Sequence, residues 1–210
     1  MANDRLYSTI PTEATEAEVL VYGTRDIGGG YVSVGVPALI IPPTLYYPNS
    51  TDCAAWYGNY DAVPGPSKAV WQDNAYNGTQ LNTVSTDDAN GITATYTIQE
   101  EEPFGFTGPG HIFQLRISSN PTQYDILGRL YDADGGVGSA LYIWDNNSGV
   151  WSQIDTHSGG APGVVTLEAT ISTDPSYYLD GSNDVYLLMA NVDFGPYTCI
   201  ARYLEMTVTY

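Results

Sequence analysis

The most constraining feature of this sequence is a series of short segments in its second half in which apolar and polar residues alternate or in which a brief apolar run occurs. His111–Ser118, Ser139–Trp144, Asp184–Ala190 and Ala201–Tyr210 are such segments, and Asp, Gly or Asn residues bound them. Successive side chains of a strand point to opposite faces of a sheet, so this alternation indicates strands with one buried face. Strands in close succession with turn residues between them are typical of a sandwich. The sequence therefore predicts an all-β, antiparallel β-sandwich.

Strands are predicted throughout the region after Gly91, and no helix of ordinary length competes with them. The predicted strands are Ile92–Ile98, Ile112–Ile117, Ile126–Tyr131, Ala140–Trp144, Trp151–Asp155, Val164–Ile171, Val185–Ala190 and Tyr203–Thr209. The run Asn146–Gly149 predicts a hairpin turn between two of these strands. Trp144 and Trp151 flank the turn, which favours packing of the two indoles in the core or across the strands.

Two parts of the chain are expected: an N-terminal arm over residues 1–36 and a sandwich domain over residues 37–210. Three glycines, Gly28–Gly30, interrupt the arm. Between Pro37 and Ser85, frequent Pro, Gly, Asn and Tyr residues predict long loops. The start of the chain has no cationic segment followed by an apolar stretch, so we expect no signal peptide. No apolar run has the length of a transmembrane helix.

The charge balance is strongly acidic. Lys and Arg together number 6, against 24 Asp and Glu, which gives a formal net charge of −18 at pH 7. Nucleic-acid binding depends on Lys and Arg that neutralise phosphates, and anionic membranes attract basic segments. We therefore expect the protein to bind neither nucleic acid nor anionic membranes.

Part of the sequence resembles the galactose-binding-domain-like jelly rolls. The residues that carry the resemblance are the stretch Ala140–Asp155, the segments Thr166–Ser172 and Val185–Ala190, and the closing run Ala201–Tyr210. The similarity covers roughly residues 37–210. It implies a jelly-roll β-sandwich of the kind found in secreted, cell-surface and phage structural proteins. A shared fold of this kind does not specify a function.

Catalytic patterns are weak. The run Glu100–Glu102 ends a predicted strand, where acidic residues are most often solvated, and His111 and His157 belong to no nucleophile motif or metal-ligand spacing. We therefore expect no enzymatic activity. Asp132 and Asp134, followed by glycines, match half of a calcium loop, but Ile143 stands where an EF-hand has its glutamate. Calcium bound by Asp132 and Asp134 is one interpretation, and an Asx-turn hairpin without any cofactor is the other.

Two cysteines, Cys53 and Cys199, lie far apart in the sequence. One interpretation is a disulfide that links the first half of the chain to a late strand and stabilises the fold by restricting the unfolded chain. The other interpretation is a pair of buried thiols. The spacing of the two residues does not distinguish between these alternatives.

Aromatic residues are abundant, with 18 Tyr and 4 Trp. A candidate interface cluster falls within the loop-rich segment, and it comprises Tyr46, Tyr47, Trp56, Tyr57, Tyr60, Trp71 and Tyr76. Exposed aromatic rings dominate protein–protein contacts and also stack on sugars. For this cluster, the role in protein–protein contacts is preferred to sugar binding.

These observations favour a non-enzymatic structural protein, a subunit of an extracellular or virion assembly such as a capsid, capsid-decoration or tail accessory protein. Its partners would be copies of itself or other subunits, in a virion or on an extracellular surface. One alternative is a carbohydrate-binding module, with a glycan as the partner. Another is a surface filament or pilus-like subunit, in which strand exchange through the arm would join subunits.

Overall fold

The computed structural model describes residues 41–48, 51–61, 74–88, 90–95, 107–118, 120–133, 135–136, 138–191 and 198–210. Within these ranges, nothing is described of the side chains of residues 59–61, 94–95 and 107–108. The chain divides into the units Met1–Pro42 and Pro43–Tyr210, and every described strand and helix belongs to the second unit. The predicted arm, residues 1–36, lies outside the described residues.

The described elements are almost entirely strands. The strands are β1 (Thr44–Tyr46), β2 (Cys53–Asp61), β3 (Asn74–Ala75), β4 (Ile92–Thr95), β5 (Thr107–Arg116), β6 (Gln123–Asp132), β7 (Ser139–Asp145), β8 (Val150–His157), β9 (Gly163–Ile171), β10 (Asp184–Asn191) and β11 (Thr198–Thr209). One α-helix, α1 (Gly78–Val84), and a short 3-10 helix (Pro175–Tyr178) accompany them. Neither of these described helices has the length and apolar character needed to cross a membrane.

The strands form two sheets. One has the order β1-β11-β6-β9, and β4 also pairs with β11, which makes it five-stranded. The other is six-stranded, with the order β3-β2-β5-β10-β7-β8. All described pairings are antiparallel. The predicted antiparallel jelly-roll sandwich is therefore confirmed.

Each of the eight strands predicted after Gly91 corresponds to a strand in the structure, from β4 to β11. The ends differ by a few residues, and the predicted extension of β4 over residues 96–98 lies outside the described residues. In the loop-rich segment, the structure adds the nine-residue strand β2 and the helix α1. Helix α1 begins at a capping box, in which Asn77 and Gln80 bond each other's backbone N–H through their side chains.

The main core lies between the two sheets. Phe113 and Leu115 of β5 and Leu187 and Met189 of β10 are fully buried in it. The two sheets are close together at Gly128 of β6, where an added Cβ would lie 2.6 Å from the sulfur of Met189. The residues that alternate with these core positions point to the opposite, outer face of the six-stranded sheet.

Candidate functional site

The outer face of the six-stranded sheet carries a second apolar cluster, which we call the aromatic face. Its buried members are Ile112, Ala140, Tyr142, Trp144, Trp151, Leu188 and Ala190, and Trp56 and Tyr186 pack against them. The cluster exists because β2, β5, β10, β7 and β8 contribute apolar residues at positions that alternate with the inner core. Its seven main members are themselves buried, so only Trp56 and Tyr186 keep partly accessible rings on this face.

The strand register arranges this face in rows that run across the strands. In the central row, Trp56 pairs with Ile112, Ile112 with Leu188, Leu188 with Tyr142, and Tyr142 with Gln153. A parallel row of small residues lies to one side, where Gly58 pairs with Gly110, Gly110 with Ala190, and Ala190 with Ala140. A Cβ added at Gly58 would meet nothing within 4 Å, so there is open space above this residue.

The row on the other side of the central row contains a polar residue, Gln114. Gln114 pairs with Ala54 on one flank and with Tyr186 on the other. Tyr186 lies next to Leu187, which pairs with Ile143, so the continued register brings Tyr186 beside Trp144. Trp144 in turn pairs with Trp151.

The rings on the aromatic face differ in exposure. Trp144 and Trp151 keep only 7% of their surface accessible and meet edge to face, with ring centroids 5.5 Å apart. Tyr142 is 4% exposed, and burial raises the pKa of its hydroxyl to about 12. Trp56 and Tyr186, in contrast, are only partly buried. Trp56 and Tyr186 are therefore the more accessible rings of the face, and the other rings are buried.

A cavity of about 190 Å³ lies at the end of the face that carries Gln114. Its lining includes Asp52, Ala54, Gln114, Arg116 and Asp184. The Asp184 carboxylate accepts hydrogen bonds from Arg116 Nε at 2.9 Å, from Arg116 Nη2 at 3.1 Å and from Gln114 Nε2 at 2.6 Å. The side chain of Asp184 is 4% exposed, whereas that of Arg116 is 56% exposed. The network holds the Gln114 amide and the accessible guanidinium in fixed positions at the edge of the aromatic face.

The candidate interface residues do not share one surface. Trp56 lies on the aromatic face, while Tyr57 and Tyr76 pack with the core between the sheets. Tyr46 belongs to β1 of the other sheet, where its hydroxyl lies 2.6 Å from that of Tyr210, and Tyr47 directly follows that strand. Tyr60 lies in β2, and nothing is described of its side chain, while Trp71 lies outside the described residues.

The expected single loop cluster is thus divided, because β2 is a strand whose successive residues point to opposite faces of the sheet. Trp56 and Tyr57 consequently face opposite sides. The role of Trp56 in an interface stays a prediction. The cross-strand packing expected for Trp144 and Trp151 is confirmed.

Both cysteines carry free thiols in this structure. Cys53 lies in β2 of the six-stranded sheet, and Cys199 lies in β11 of the five-stranded sheet. Burial raises the pKa of the Cys53 thiol to about 12 and raises that of the Cys199 thiol further. With free thiols the two residues match the second interpretation in this structure, and the disulfide stays a prediction. As thiols, both are poor nucleophiles at neutral pH.

Asp132 is 2% exposed, and its side chain accepts a hydrogen bond from the backbone N–H of Gly135 at 3.0 Å. This is the local geometry of the Asx-turn interpretation. Asp134 lies outside the described residues, and the described residues hold no group of three His, Cys, Asp or Glu side chains placed to bind a metal. Calcium at Asp132 and Asp134 stays a prediction.

The histidines have separate environments. His111 is fully buried, with Nδ1 2.6 Å from the Tyr76 hydroxyl and Nε2 3.1 Å from the carbonyl oxygen of Cys199. His157 is exposed at the end of β8. Because the carbonyl only accepts, Nε2 carries the proton and Nδ1 accepts from Tyr76. Both ring nitrogens of His111 therefore form hydrogen bonds within the core. Neither of these described hydrogen bonds involves the side chain of a serine or cysteine.

Sequence reasoning missed Gln114, Arg116, Asp184 and Tyr186 as site residues. The alternation of side chains along β5 could have indicated Gln114 and Arg116, because it places them on the face opposite Phe113 and Leu115. The same alternation along β10 places Asp184 and Tyr186 on that outer face. What the sequence did not show was that β5 and β10 are neighbours.

The sequence matches no protein-family model and no curated protein. Among solved structures, it is similar to a xylan-binding module, CBM15, with 11% identity, a TM-score of 0.47, and coverage of 80% of this chain and 97% of that one. The CBM22-1 xylan-binding domain from Paenibacillus barcinonensis Xyn10C has 10% identity, a TM-score of 0.30, and coverage of 59% and 85%. The K3 cleaved adhesin domain of Lys-gingipain from Porphyromonas gingivalis has 12% identity, a TM-score of 0.34, and coverage of 58% and 74%.

Proposed function

We propose that this protein is a non-catalytic carbohydrate-binding module that acts outside the cell or on a surface, and that its aromatic face binds the glycan. The observation that carries the proposal is the placement of two partly exposed rings, Trp56 and Tyr186, on one face beside Gln114. Ligand sites combine apolar or aromatic surface with a few fixed polar groups. A pyranose ring has the matching chemistry, with an apolar C–H face and hydroxyls at its edge.

The two rings suit an oligosaccharide better than a single sugar. Trp56 and Tyr186 stand two strands apart across the sheet and two residues apart along it. With the usual strand spacing and rise, their Cα atoms are separated by roughly 12 Å. A chain of linked sugars reaches both rings, and Gln114 lies between them to bond a hydroxyl.

The surrounding residues hold this surface rigid. The edge-to-face pair Trp144–Trp151 and the buried Tyr142 lie on the same face as the accessible rings, and Asp184 fixes Arg116 and Gln114. Rings on paired strands lose little freedom on binding, because the sheet already orders them. Preorganisation of this kind favours a glycan, whose own contacts are weak.

A second candidate is a subunit of an extracellular or virion assembly, with the aromatic face as the contact between subunits. The apolar character of the face favours this candidate, because Trp and Tyr are enriched in the centres of protein interfaces. The two candidates differ in one measurable property: a carbohydrate-binding module binds a glycan as a monomer, whereas the subunit associates without one.

The direct test is to measure glycan binding by Trp56→Ala and Tyr186→Ala on an array and by calorimetry. We expect each substitution to weaken binding about tenfold or more, which corresponds to roughly 1.4 kcal/mol or more. Tyr131→Ala is the matched control, because this partly exposed ring lies on β6 of the other sheet. Unchanged affinity in Trp56→Ala and Tyr186→Ala would exclude the aromatic face as the binding site.

A further inference from the structure

The hydrogen bonds of Asp184 determine which atoms of Gln114 and Arg116 are available to a ligand. A carboxylate only accepts hydrogen bonds, so the Gln114 atom that lies 2.6 Å from Asp184 Oδ2 is the amide nitrogen Nε2, and the amide oxygen Oε1 is left as an acceptor. Arg116 binds Asp184 through Nε and Nη2, which leaves the N–H groups of Nη1 as donors. Among the described hydrogen bonds, neither Gln114 Oε1 nor Arg116 Nη1 has a partner.

The amide and the guanidinium are held side by side. Gln114 Nε2 and Arg116 Nη2 both bond one oxygen, Oδ2 of Asp184, at 2.6 and 3.1 Å. The side chain of Asp184 is 4% exposed, whereas that of Arg116 is 56% exposed and Gln114 is partly exposed. The buried carboxylate therefore orders two accessible groups. Because Asp184 also balances the charge of Arg116, the guanidinium acts as a fixed hydrogen-bond donor rather than as a free cation.

The cavity at the end of the aromatic face that carries Gln114 provides space next to this pair. Gln114, Arg116 and Ala54 contribute to its lining, and its volume is about 190 Å³. Ala54 contributes only a methyl group, and it lies on the same face of β2 as Trp56, two residues along the strand. Sites for drug-sized ligands have volumes of about 300–1,000 Å³, so this smaller space suits a single sugar unit.

An acceptor beside a donor matches the hydroxyls of a neutral sugar. Each hydroxyl both donates and accepts, so one hydroxyl donates to Gln114 Oε1 while its neighbour accepts from Arg116 Nη1. An ionised carboxylate would accept from Arg116 but has no proton to donate to Gln114 Oε1. The arrangement therefore favours two neighbouring hydroxyls over an acidic group.

We propose that this cavity is a subsite for one neutral sugar unit, in which Gln114 and Arg116 bind two hydroxyls on neighbouring carbons. This inference rests on the function proposed above, because it assigns the ligand class of the same face. That class is neutral glycans whose linkage leaves neighbouring hydroxyls free. Trp56 and Tyr186 stack on the chain whatever its linkage, and the polar pair distinguishes one linkage from another.

The test compares two neutral hexasaccharides of glucose, one β-1,4-linked and one β-1,3-linked, by calorimetry. In the β-1,4-linked chain, every internal unit keeps free hydroxyls on the neighbouring carbons C2 and C3. In the β-1,3-linked chain, the linkage occupies C3, and the internal units have no two free hydroxyls on neighbouring carbons. We expect the β-1,4-linked chain to bind severalfold more tightly.

Two substitutions localise the preference. Arg116→Lys keeps a positive charge beside Asp184 but loses the planar set of donors. It should weaken binding of the β-1,4-linked chain about tenfold, the loss expected for a hydrogen bond to a charged group, and remove most of the preference. Ala54→Leu fills the cavity and should have the same effect. Arg129→Lys is the matched control, because Arg129 pairs with Asp87 and lies on β6 of the other sheet, and it should change neither affinity.

The outcomes separate this inference from the proposed function. Equal affinity for the two hexasaccharides, both weakened in Trp56→Ala, overturns the subsite and retains the glycan-binding face. A preference that persists in both Arg116→Lys and Ala54→Leu, or that Arg129→Lys reduces equally, also overturns the inference. If neither hexasaccharide binds, the inference fails, and binding of other glycans on the array then decides the proposed function by itself.

Discussion

His111 shows how the sandwich holds an ionisable side chain neutral. The ring is fully buried between the sheets, where Tyr57 stacks against it with centroids 6.3 Å apart and Tyr76 meets it edge to face. Burial lowers the pKa of His111 from 6.5 to about 4, although the hydrogen bond to the Cys199 carbonyl opposes the shift. The groups that face the ring are hydroxyl and carbonyl oxygens, and the buried thiol of Cys199 stays protonated.

This shift predicts a pH dependence of stability. Between pH 6.5 and about 4, the unfolded chain binds a proton at His111 that the folded chain does not bind. The free energy of unfolding therefore falls as the pH is lowered through this range, by roughly 3 kcal/mol in total from this residue. His111→Phe should lose this part of the pH dependence when urea midpoints are compared at neutral pH and near pH 4.

The comparison uses the change in the free energy of unfolding with pH, and not its absolute value. His111→Phe leaves the partners of the ring without a hydrogen bond, so this variant is less stable at every pH. His157→Gln, a substitution of the exposed second histidine, should keep the wild-type slope. Parallel loss of stability in wild type and His111→Phe would show that other groups cause the pH dependence.

At the scale of the element, the hairpin between β7 and β8 determines how the two buried tryptophans meet. The Asp145 carboxylate accepts hydrogen bonds from the backbone N–H groups of Asn147 and Ser148, at 2.8 and 3.1 Å. Gly149 closes the turn with a φ of +71° and donates its N–H to the Asp145 carbonyl at 2.8 Å. The turn thereby brings Trp144 opposite Trp151.

Gly149→Ala should therefore lower the free energy of unfolding by about 1 kcal/mol, because side chains with a Cβ are disfavoured at this left-handed φ. The cost is purely conformational, since an added Cβ would meet nothing within 4 Å. Gly160→Ala provides the control, because Gly160 also has open space around it and lies outside the left-handed region. Equal losses for the two variants in chemical denaturation would rule out backbone strain as the reason.

The elements were far more predictable than the site. Strands β5, β6, β8, β9 and β11 follow from alternation, and β7 and β10 follow from short apolar runs bounded by turn residues. Strand β2 was missed, because Pro-, Gly- and Asn-rich segments surround its short apolar run Cys53–Tyr57 and favour a loop. Its apolar outer face is part of the candidate site, which depends on the pairing of β2, β5 and β10. A single sequence does not reveal which strands become neighbours.

At the scale of the whole molecule, net charge and surface composition bear on the choice between a glycan-binding monomer and an assembly subunit. A charge of −18 makes copies of the chain repel one another. The large apolar side chains that are exposed in the described residues are Ile41, Leu45, Val150, Val164 and Tyr177. The last four lie on four different elements, and Ile41 precedes β1. Single exposed apolar residues are ordinary surface features and do not form an interface.

We therefore expect the protein to be monomeric in light scattering after size exclusion. Added salt weakens the repulsion between copies, with a Debye length of about 8 Å at physiological ionic strength, so the measurement is repeated from low to physiological salt. The mass should stay that of one chain throughout, and Trp56→Ala should not alter it, because the role proposed for this ring is glycan binding and not contact with another subunit. A defined oligomer that Trp56→Ala dissociates, while the variant keeps the wild-type melting temperature, would identify the aromatic face as a subunit contact and favour the assembly candidate.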